Sequence, residues 1–394
     1  MISNSYGLLG LFIALVLFIQ ALSRNESTRK MFKYLPVPLW CYFLPTVFST
    51  LHLIPSDHVL YGQMSRFLLP ACLFLLLVGT DLVAIYRLSP KALLAMACGS
   101  FGILLGGMAT FLFLAKKIPE FWKGWACLSA SWTGGSANMI AVKEILGTPE
   151  SLFSNLIIVD TIIAYSWMAV LVFASKYQAP MNRWLGAEDT ALHELSIKET
   201  FQNAAVDSRN FGLKRSLKYF MLLAFGFSGG IFCWFLSGTF PQIGTILNRF
   251  TWTVICSTAI PLVLSTTPVR QLEDWGASQT GNFLLYLLLT SIGSRANLAI
   301  ILEAPSLIAL GFLWVILHGI VLAFLGKLFR IPVSLLATAS QANVGGTVST
   351  PIVASVYDNT SAPVGLILAV LGNIYGTAFG LFFAQVCRWL NNLL

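Results

Sequence analysis

The chain has 394 residues, 57% of them hydrophobic and 10% charged, and its mean hydropathy is +0.78. Soluble proteins carry roughly 25% charged residues, so this composition excludes a water-soluble globular protein and defines an integral membrane one. The net charge of +8 is spread between apolar segments rather than gathered in one stripe, which points away from nucleic acid and assigns the Lys and Arg residues to topology and to contact with anionic membrane lipid.

A membrane span needs about 20 apolar residues. Taken in chain order, the first half offers spans over residues 6–22, 35–54, 67–86, 91–115 and 151–174, with a further apolar piece at 121–147. The N-terminal stretch lacks a basic leader and a small-residue cleavage site, so 6–22 is expected to be a retained helix. A mixed-charge segment, 175–217, follows as the linker, with a short amphipathic helix expected over 187–209. The second half offers 218–237, 250–266, 279–302, 305–326 and 362–387, with the corresponding apolar piece at 332–358. The expected organisation is therefore a first membrane repeat (1–174), a cytoplasmic linker (175–217) and a second repeat (218–394).

The two interrupted pieces carry the same pattern. Ser129-Ala-Ser-Trp-Thr-Gly-Gly-Ser-Ala-Asn138 aligns with Ser340-Gln-Ala-Asn-Val-Gly-Gly-Thr-Val-Ser349, so that Gly134-Gly135 matches Gly345-Gly346 and Ser136 matches Thr347. Val78-Gly-Thr-Asp81 likewise matches Ile292-Gly-Ser-Arg295. Glycine pairs break a helix where no water satisfies the freed backbone, which is tolerated only in a protein-lined or polar setting. Matching breaks in two halves are a pointer to a transporter's binding site.

Topology follows from parity. If each broken element is a re-entrant hairpin, each half crosses five times and the halves are inverted; if each crosses fully, the halves are parallel. The inverted arrangement with the N-terminus outside puts Arg24, Arg29, Lys30, Lys33, Arg87, Lys91, Arg270, Lys327, Arg330 and the cations of the linker in the cytoplasm, consistent with the positive-inside rule; full crossing with the N-terminus inside gives a similar total but leaves the Arg24–Lys33 cluster outside. A broken helix that crosses the membrane is the remaining alternative. The fold class expected is an all-α polytopic membrane protein of two inverted repeats, each about five spans plus a Gly-Gly re-entrant hairpin.

The candidate binding residues cluster at the breaks. Half-helix N-termini present N–H groups that suit an anion, and unwound carbonyls suit a cation. Ser129, Ser131, Thr133, Gly134, Gly135, Ser136 and Asn138 supply further polar or open positions at the first break; Ser340, Gln341, Asn343, Gly345, Gly346, Thr347 and Ser349 do so at the second. Asp160 lies mid-span, with Asn373 within a turn of the matching place, and an intramembrane carboxylate is by default a coupling-ion site. Asp81 and Arg295 put opposite charges at one duplicated position. Seven cysteines lie mostly in apolar segments, with no CxxC, no metal-ligand cluster and no nucleotide-binding GxxxxGK[ST], so no cofactor or resident metal is expected beyond Na⁺ or H⁺ as coupling ion.

The segments SASWTGGSANMIAVKEILG, TPVRQLEDWGAS, NFLLYLLLTSIGSRANL and ASQANVGGTVSTPIVA resemble the YjcL-like integral membrane family, of unknown function, across nearly the whole chain. The arrangement is more distantly similar to bacterial sodium/glutamate and sodium/citrate symporters. That resemblance implies an elevator-type, sodium-linked carrier, often a homodimer, in the bacterial plasma membrane. The chain departs from the citrate-type GGxG pattern, having Gly-Gly-Ser-Ala and Gly-Gly-Thr-Val, so substrate identity does not carry over. The function expected is a secondary transporter of a small anionic organic solute coupled to Na⁺ or H⁺, with no enzyme activity. A monovalent cation/proton antiporter using Asp160 is the nearest alternative. An intramembrane enzyme, in which Ser136 meets His318, is the alternative from a different class.

Overall fold

The structure is a computed structural model that describes residues 4–34, 37–86, 88–187, 215–242, 248–295, 304–358 and 361–393, and it is helical without strands among them. In chain order the first half runs α1 (Ser5–Arg24), α2 (Glu26–Tyr34), α3 (Val37–Thr50), α4 (Val59–Val78), α5 (Leu82–Tyr86), α6 (Pro90–Leu114), α7 (Phe121–Gly134), α8 (Ser136–Leu146), α9 (Glu150–Ala174) and α10 (Gln178–Leu185). The second runs α11 (Arg215–Ser237), α12 (Arg249–Leu264), a 3₁₀ segment over Pro268–Trp275, α13 (Ala277–Ser294), α14 (Ala304–Leu328), α15 (Val333–Val344), α16 (Gly346–Tyr357) and α17 (Ala362–Leu393).

Local chemistry sets the boundaries. Asn4, His58, Ser89 and Asn248 cap helix starts by accepting a backbone N–H from the first turn, which satisfies donors that the helix cannot use itself. α4 stops at Gly79. Among the described residues, seven helices are long and apolar enough to cross a membrane: Ser5–Arg24, Val59–Val78, Pro90–Leu114, Glu150–Leu185, Ser216–Ser237, Pro305–Leu328 and Ala362–Leu393. The pair Arg249–Leu264 and Pro268–Trp275, bent by 103°, makes up to 8.

Of the expected span 250–266 the structure forms the 16-residue α12. α3 has 14 residues within 35–54, and α13 has 18 and ends at Ser294, the rest of 279–302 from residue 296 on lying outside the described residues. The span expected at 67–86 lies eight residues earlier, at Val59–Val78. The apolar Leu82–Tyr86, which pulled the reading forward, is a separate short helix beyond Gly79-Thr80-Asp81. The amphipathic helix expected over 187–209 falls almost wholly in residues 188–214, outside the described residues.

By contacts the chain forms two compact units, each drawing on both halves of the sequence. The first comprises residues 1–81, 144–158 and 210–304; the second comprises 82–143, 159–209 and 305–394. In the first unit, α4 and α13 pack on each other, α4 also against α11 and α12, and α13 also against α1 and α3. The third helix of each half therefore packs on the first two apolar helices of the other. Phe74 of α4 meets Cys233 and Cys256 in a small apolar cluster, and Gly229 of α11 leaves room for the Phe74 ring.

In the second unit α7 packs on α17, α6 on α15 and α17, and α7 on both α15 and α16. Close approach of α7 and α17 depends on the glycine stripe Gly372, Gly376 and Gly380. A Cβ on Gly372 would overlap the Thr133 carbonyl oxygen, one on Gly376 would reach the Gly134 Cα, and one on Gly380 the Ala130 Cβ. Small residues at such spacing let backbones touch, which is how helices associate without a hydrophobic drive. An aromatic column stiffens this unit: Phe121–Trp125 at 4.6 Å, Trp125–Trp314 at 4.9 Å and Trp132–Trp314 at 4.8 Å between ring centroids. All three indoles bury, and each N–H has an acceptor: Thr110 Oγ1 for Trp125, the Ile103 carbonyl for Trp314, and Asp160 for Trp132.

Candidate functional site: two glycine-broken helices

Both glycine pairs interrupt helices where the sequence placed them. α7 ends at Gly134, Gly135 takes φ +81°, and α8 starts at Ser136. α15 ends at Val344, Gly346 takes φ +72°, and α16 begins there. A positive φ at the second glycine of each pair is a conformation that L-residues rarely adopt. Each first arm closes on a 2.7 Å backbone bond, from Gly135 N–H to the Ser131 carbonyl and from Gly345 N–H to the Gln341 carbonyl.

At the first break, Asn138 donates through Nδ2 to the Gly134 carbonyl (2.6 Å) and the Asn373 carbonyl (3.2 Å), and accepts from Thr377 Oγ1 at 2.5 Å. The break is thereby fastened to α17 at the place where Gly372 and Gly376 admit it. Ser131 Oγ and Trp132 Nε1 each donate, at 3.0 Å, to the same oxygen of Asp160, Oδ1. An ionised carboxylate has about four acceptor sites, so these two donors hold the side chain while leaving it capacity for a ligand. Thr133 donates back to the Ser129 carbonyl, and the buried Ser129 Oγ has no partner among the described residues.

At the second break, Gln341 Nε2 donates to Ser349 Oγ at 2.7 Å, spanning the two arms, while the Gln341 Oε1 atom is buried without a partner among the described residues. Asn343 Nδ2 donates to the Ala339 carbonyl at 2.9 Å, and its Oδ1 accepts from Ser100 Oγ of α6 at 2.8 Å. Ser340 sits in a relay: Trp167 Nε1 donates to Ser340 Oγ, which lies 2.8 Å from His318 Nε2, and His318 Nδ1 lies 3.0 Å from the Gly99 carbonyl. A carbonyl only accepts, so Nδ1 carries a proton, and in the neutral ring Nε2 receives the Ser340 hydroxyl. The imidazole is satisfied on both sides. Its partner is Ser340, not Ser136, as the enzyme alternative required.

The structure brings Ser131, Trp132 and Asp160 together, and Gln341 with Ser349. Ser136 and Thr347, the residues that follow or sit just beyond each break, are partly exposed. Asp81 and Arg295 belong to the first unit, at the ends of α4 and α13. Asp81 pairs with Arg270 at 3.0 Å, and Arg295 pairs with Glu150 at 3.3 Å and lies over the Tyr61 ring. Each charge therefore has its own counter-ion rather than the other as partner. Sequence reasoning named His318 but set it against Ser136 rather than Ser340, and it missed Ser100, Trp167 and Thr377, which reach the breaks from neighbouring helices, and Tyr375, which meets Ser100; none of these stands in the duplicated motif.

Apolar helices of spanning length, a polar intramembrane carboxylate and paired helix breaks define a polytopic α-helical membrane protein. The profile of the family described as "Protein of unknown function (DUF819)" matches residues 10–390, and the chain belongs to that family. It is 25% identical over 357 residues to the uncharacterized membrane protein YjcL of Bacillus subtilis (strain 168), covering 86% of this chain and 87% of that protein.

Proposed function

We propose that the chain is a secondary active transporter that moves a small organic solute, expected to be anionic, with Na⁺ or H⁺. The observation that carries this reading is the pair of glycine breaks, which pack on each other's helices within one compact unit. The arms have 14, 11, 12 and 12 residues. At about 1.5 Å per residue, none alone reaches the roughly 30 Å of a hydrocarbon core, so each is a half-helix, and on this reading each pair is a re-entrant hairpin.

Reciprocal packing supports two repeats related by a two-fold. α7 meets α17, while α15 and α16 meet α9 through Trp167–Ser340 and Tyr357–Leu171. α6 meets α15, while α14 meets α7 through Trp314–Trp132. An isologous two-fold makes every contact occur in both directions. With five crossings per half the repeats are inverted, the N-terminus is outside, and residues 175–217 are cytoplasmic. On this reading the second unit, with both breaks, carries the solute, and the first is the scaffold and the surface through which two copies associate in a bacterial plasma membrane. Asp160 is the coupling-ion ligand. A monovalent cation/proton antiporter is the second reading, favoured by the same carboxylate.

The test is uptake by proteoliposomes of a panel of organic and amino acids, with and without an inward Na⁺ or H⁺ gradient. Gradient-driven accumulation of an organic solute supports symport. Cation/proton exchange without any solute dependence supports the antiporter, and neither activity removes the reading.

A further inference from the structure

Between α6 and α17 lies a groove of about 380 Å³ whose walls are apolar, built from Leu93, Phe101, Leu104, Leu371 and Phe379 among others. Ser100 and Tyr375 are the two polar residues that line it, and no charged side chain does. Its volume suits a small molecule, for which pockets of about 300–1,000 Å³ are usual.

The hydrogen-bond polarity of its polar end is fixed by the neighbours. Ser100 Oγ lies within bonding distance of the Asn343 Oδ1 (2.8 Å) and the Met96 carbonyl (3.1 Å), both of which only accept. The Asn343 amide is oriented by its own donation to the Ala339 carbonyl. Were Ser100 to donate to Tyr375, its lone pairs would face the Asn343 Oδ1 at 2.8 Å with no proton between, so the Ser100 proton goes to an acceptor-only partner. The 2.7 Å contact between Ser100 Oγ and the Tyr375 hydroxyl must then be a donation from Tyr375. A phenol that has given its one proton away offers only a lone pair. An N–H or O–H group would be accepted there, whereas a carboxylate would face lone pair against lone pair.

We propose that this groove binds a small organic molecule with an apolar body and an N–H or O–H group that donates to the Tyr375 oxygen. Its identity as the transported solute rests on the transporter reading; its binding does not. The occupant touches the second break through Tyr375, Ser100 and Asn343, two residues before Gly345. Any anionic group the molecule carries lies elsewhere than at this end of the groove.

Three probes with one body test this on the purified full chain in detergent: 2-phenylethanol, 2-phenylethylamine and 3-phenylpropionate, with affinities from isothermal titration. The alcohol and the amine are expected to bind about tenfold tighter than the carboxylate, the factor for one hydrogen bond of ~1.4 kcal/mol. Tyr375→Phe keeps the ring and should erase the gap. Ser100→Ala frees the Tyr375 proton and should shift the preference toward 3-phenylpropionate. Ala97→Phe, at an exposed position lining the groove, should remove binding of all three. Equal affinity for the three probes, an unchanged gap in Tyr375→Phe, or a phospholipid retained in the groove that no probe displaces would each overturn the proposal. Normal solute uptake by Ala97→Phe overturns the groove as the solute site and leaves the transporter reading standing. Selective probe binding without uptake of any solute rejects transport and leaves the groove standing.

Discussion

Replacing Asp160 by Asn separates the charge of this residue from its shape. The amide keeps an oxygen where Oδ1 stands, so Ser131 and Trp132 still find an acceptor at about the present 3.0 Å. A bond to a charged group contributes about 1.5–3 kcal/mol and a neutral one about 0.5–1.5 kcal/mol, so the two bonds together lose roughly 2 kcal/mol. Asp160→Ala instead strands the buried Ser131 hydroxyl and Trp132 indole, at about 1–3 kcal/mol each, and should be the less stable variant. The decisive readout is the cation response. A site filled at a hundredfold excess of Na⁺ over its Kd stabilises the folded state by about 2.7 kcal/mol, and Asn, which has no charge, should lose most of that. Thermal unfolding in detergent, with NaCl against choline chloride at equal ionic strength and fixed pH, measures it. Full Na⁺ stabilisation of Asp160→Asn would refute Asp160 as the ion ligand. An Ala variant as stable as the Asn variant would refute the hydrogen-bond geometry.

Gly135→Val and Gly346→Val should abolish gradient-driven uptake while membrane insertion persists. Neither position is crowded: nothing lies within 4 Å of a Cβ at Gly346, so the cost comes from the positive φ alone; normal uptake would show that the backbone turn is dispensable. Gly372→Val should act differently, through overlap with the Thr133 carbonyl, and lower the unfolding temperature by an amount matching about 1–3 kcal/mol of overpacking; an unchanged melting curve would contradict the α7–α17 contact. Arg295→Gln should cost stability of about 1 kcal/mol by leaving Glu150 without its counter-ion, whereas Asp81→Asn, whose pair with Arg270 is half-exposed, should change it by ~0.5 kcal/mol or less. Solute affinity unchanged in both would remove this duplicated position from the binding path.

The breaks were legible because glycine pairs carry a backbone requirement that shows in any context, and the positive φ of Gly135 and Gly346 is that requirement met. Membrane class was legible from composition alone. Helix ends were less so: hydropathy averages over a window, whereas α4 stops at Gly79 on a local turn. The partners of the breaks were illegible for a physical reason. Asn138 meets Thr377, Ser340 meets His318 and Trp167, and Asn343 meets Ser100 across separations set by packing, and nothing in the pattern of one helix encodes what its neighbour donates.

The two breaks are alike in backbone and unlike in side chains, and that difference bears on mechanism. At the first, Ser131 and Trp132 both donate to Oδ1 of Asp160, so the polar end of α7 is organised around an acid. At the second, the matching region gives and takes hydrogen bonds with neutral partners only: Ser340 with Trp167 and His318, Asn343 with Ser100, Gln341 with Ser349. Two identical halves would bind the same ligand twice. On the proposed transporter reading, a frame with an acid at one break and neutral donors and acceptors at the other suits two different ligands, a cation at Asp160 and an organic molecule near Asn343. Coupling on that reading requires that the packed helices α7, α15 and α16 move together. Exchanging the roles, with Asp160→Asn combined with Asn343→Asp, should therefore not restore cation dependence, because Ser100 supplies a single donor there and the Ala339 carbonyl, an acceptor, would face the second carboxylate oxygen. Recovery of Na⁺-dependent stabilisation in that double variant would show that the breaks are interchangeable and that the asymmetry carries no mechanism.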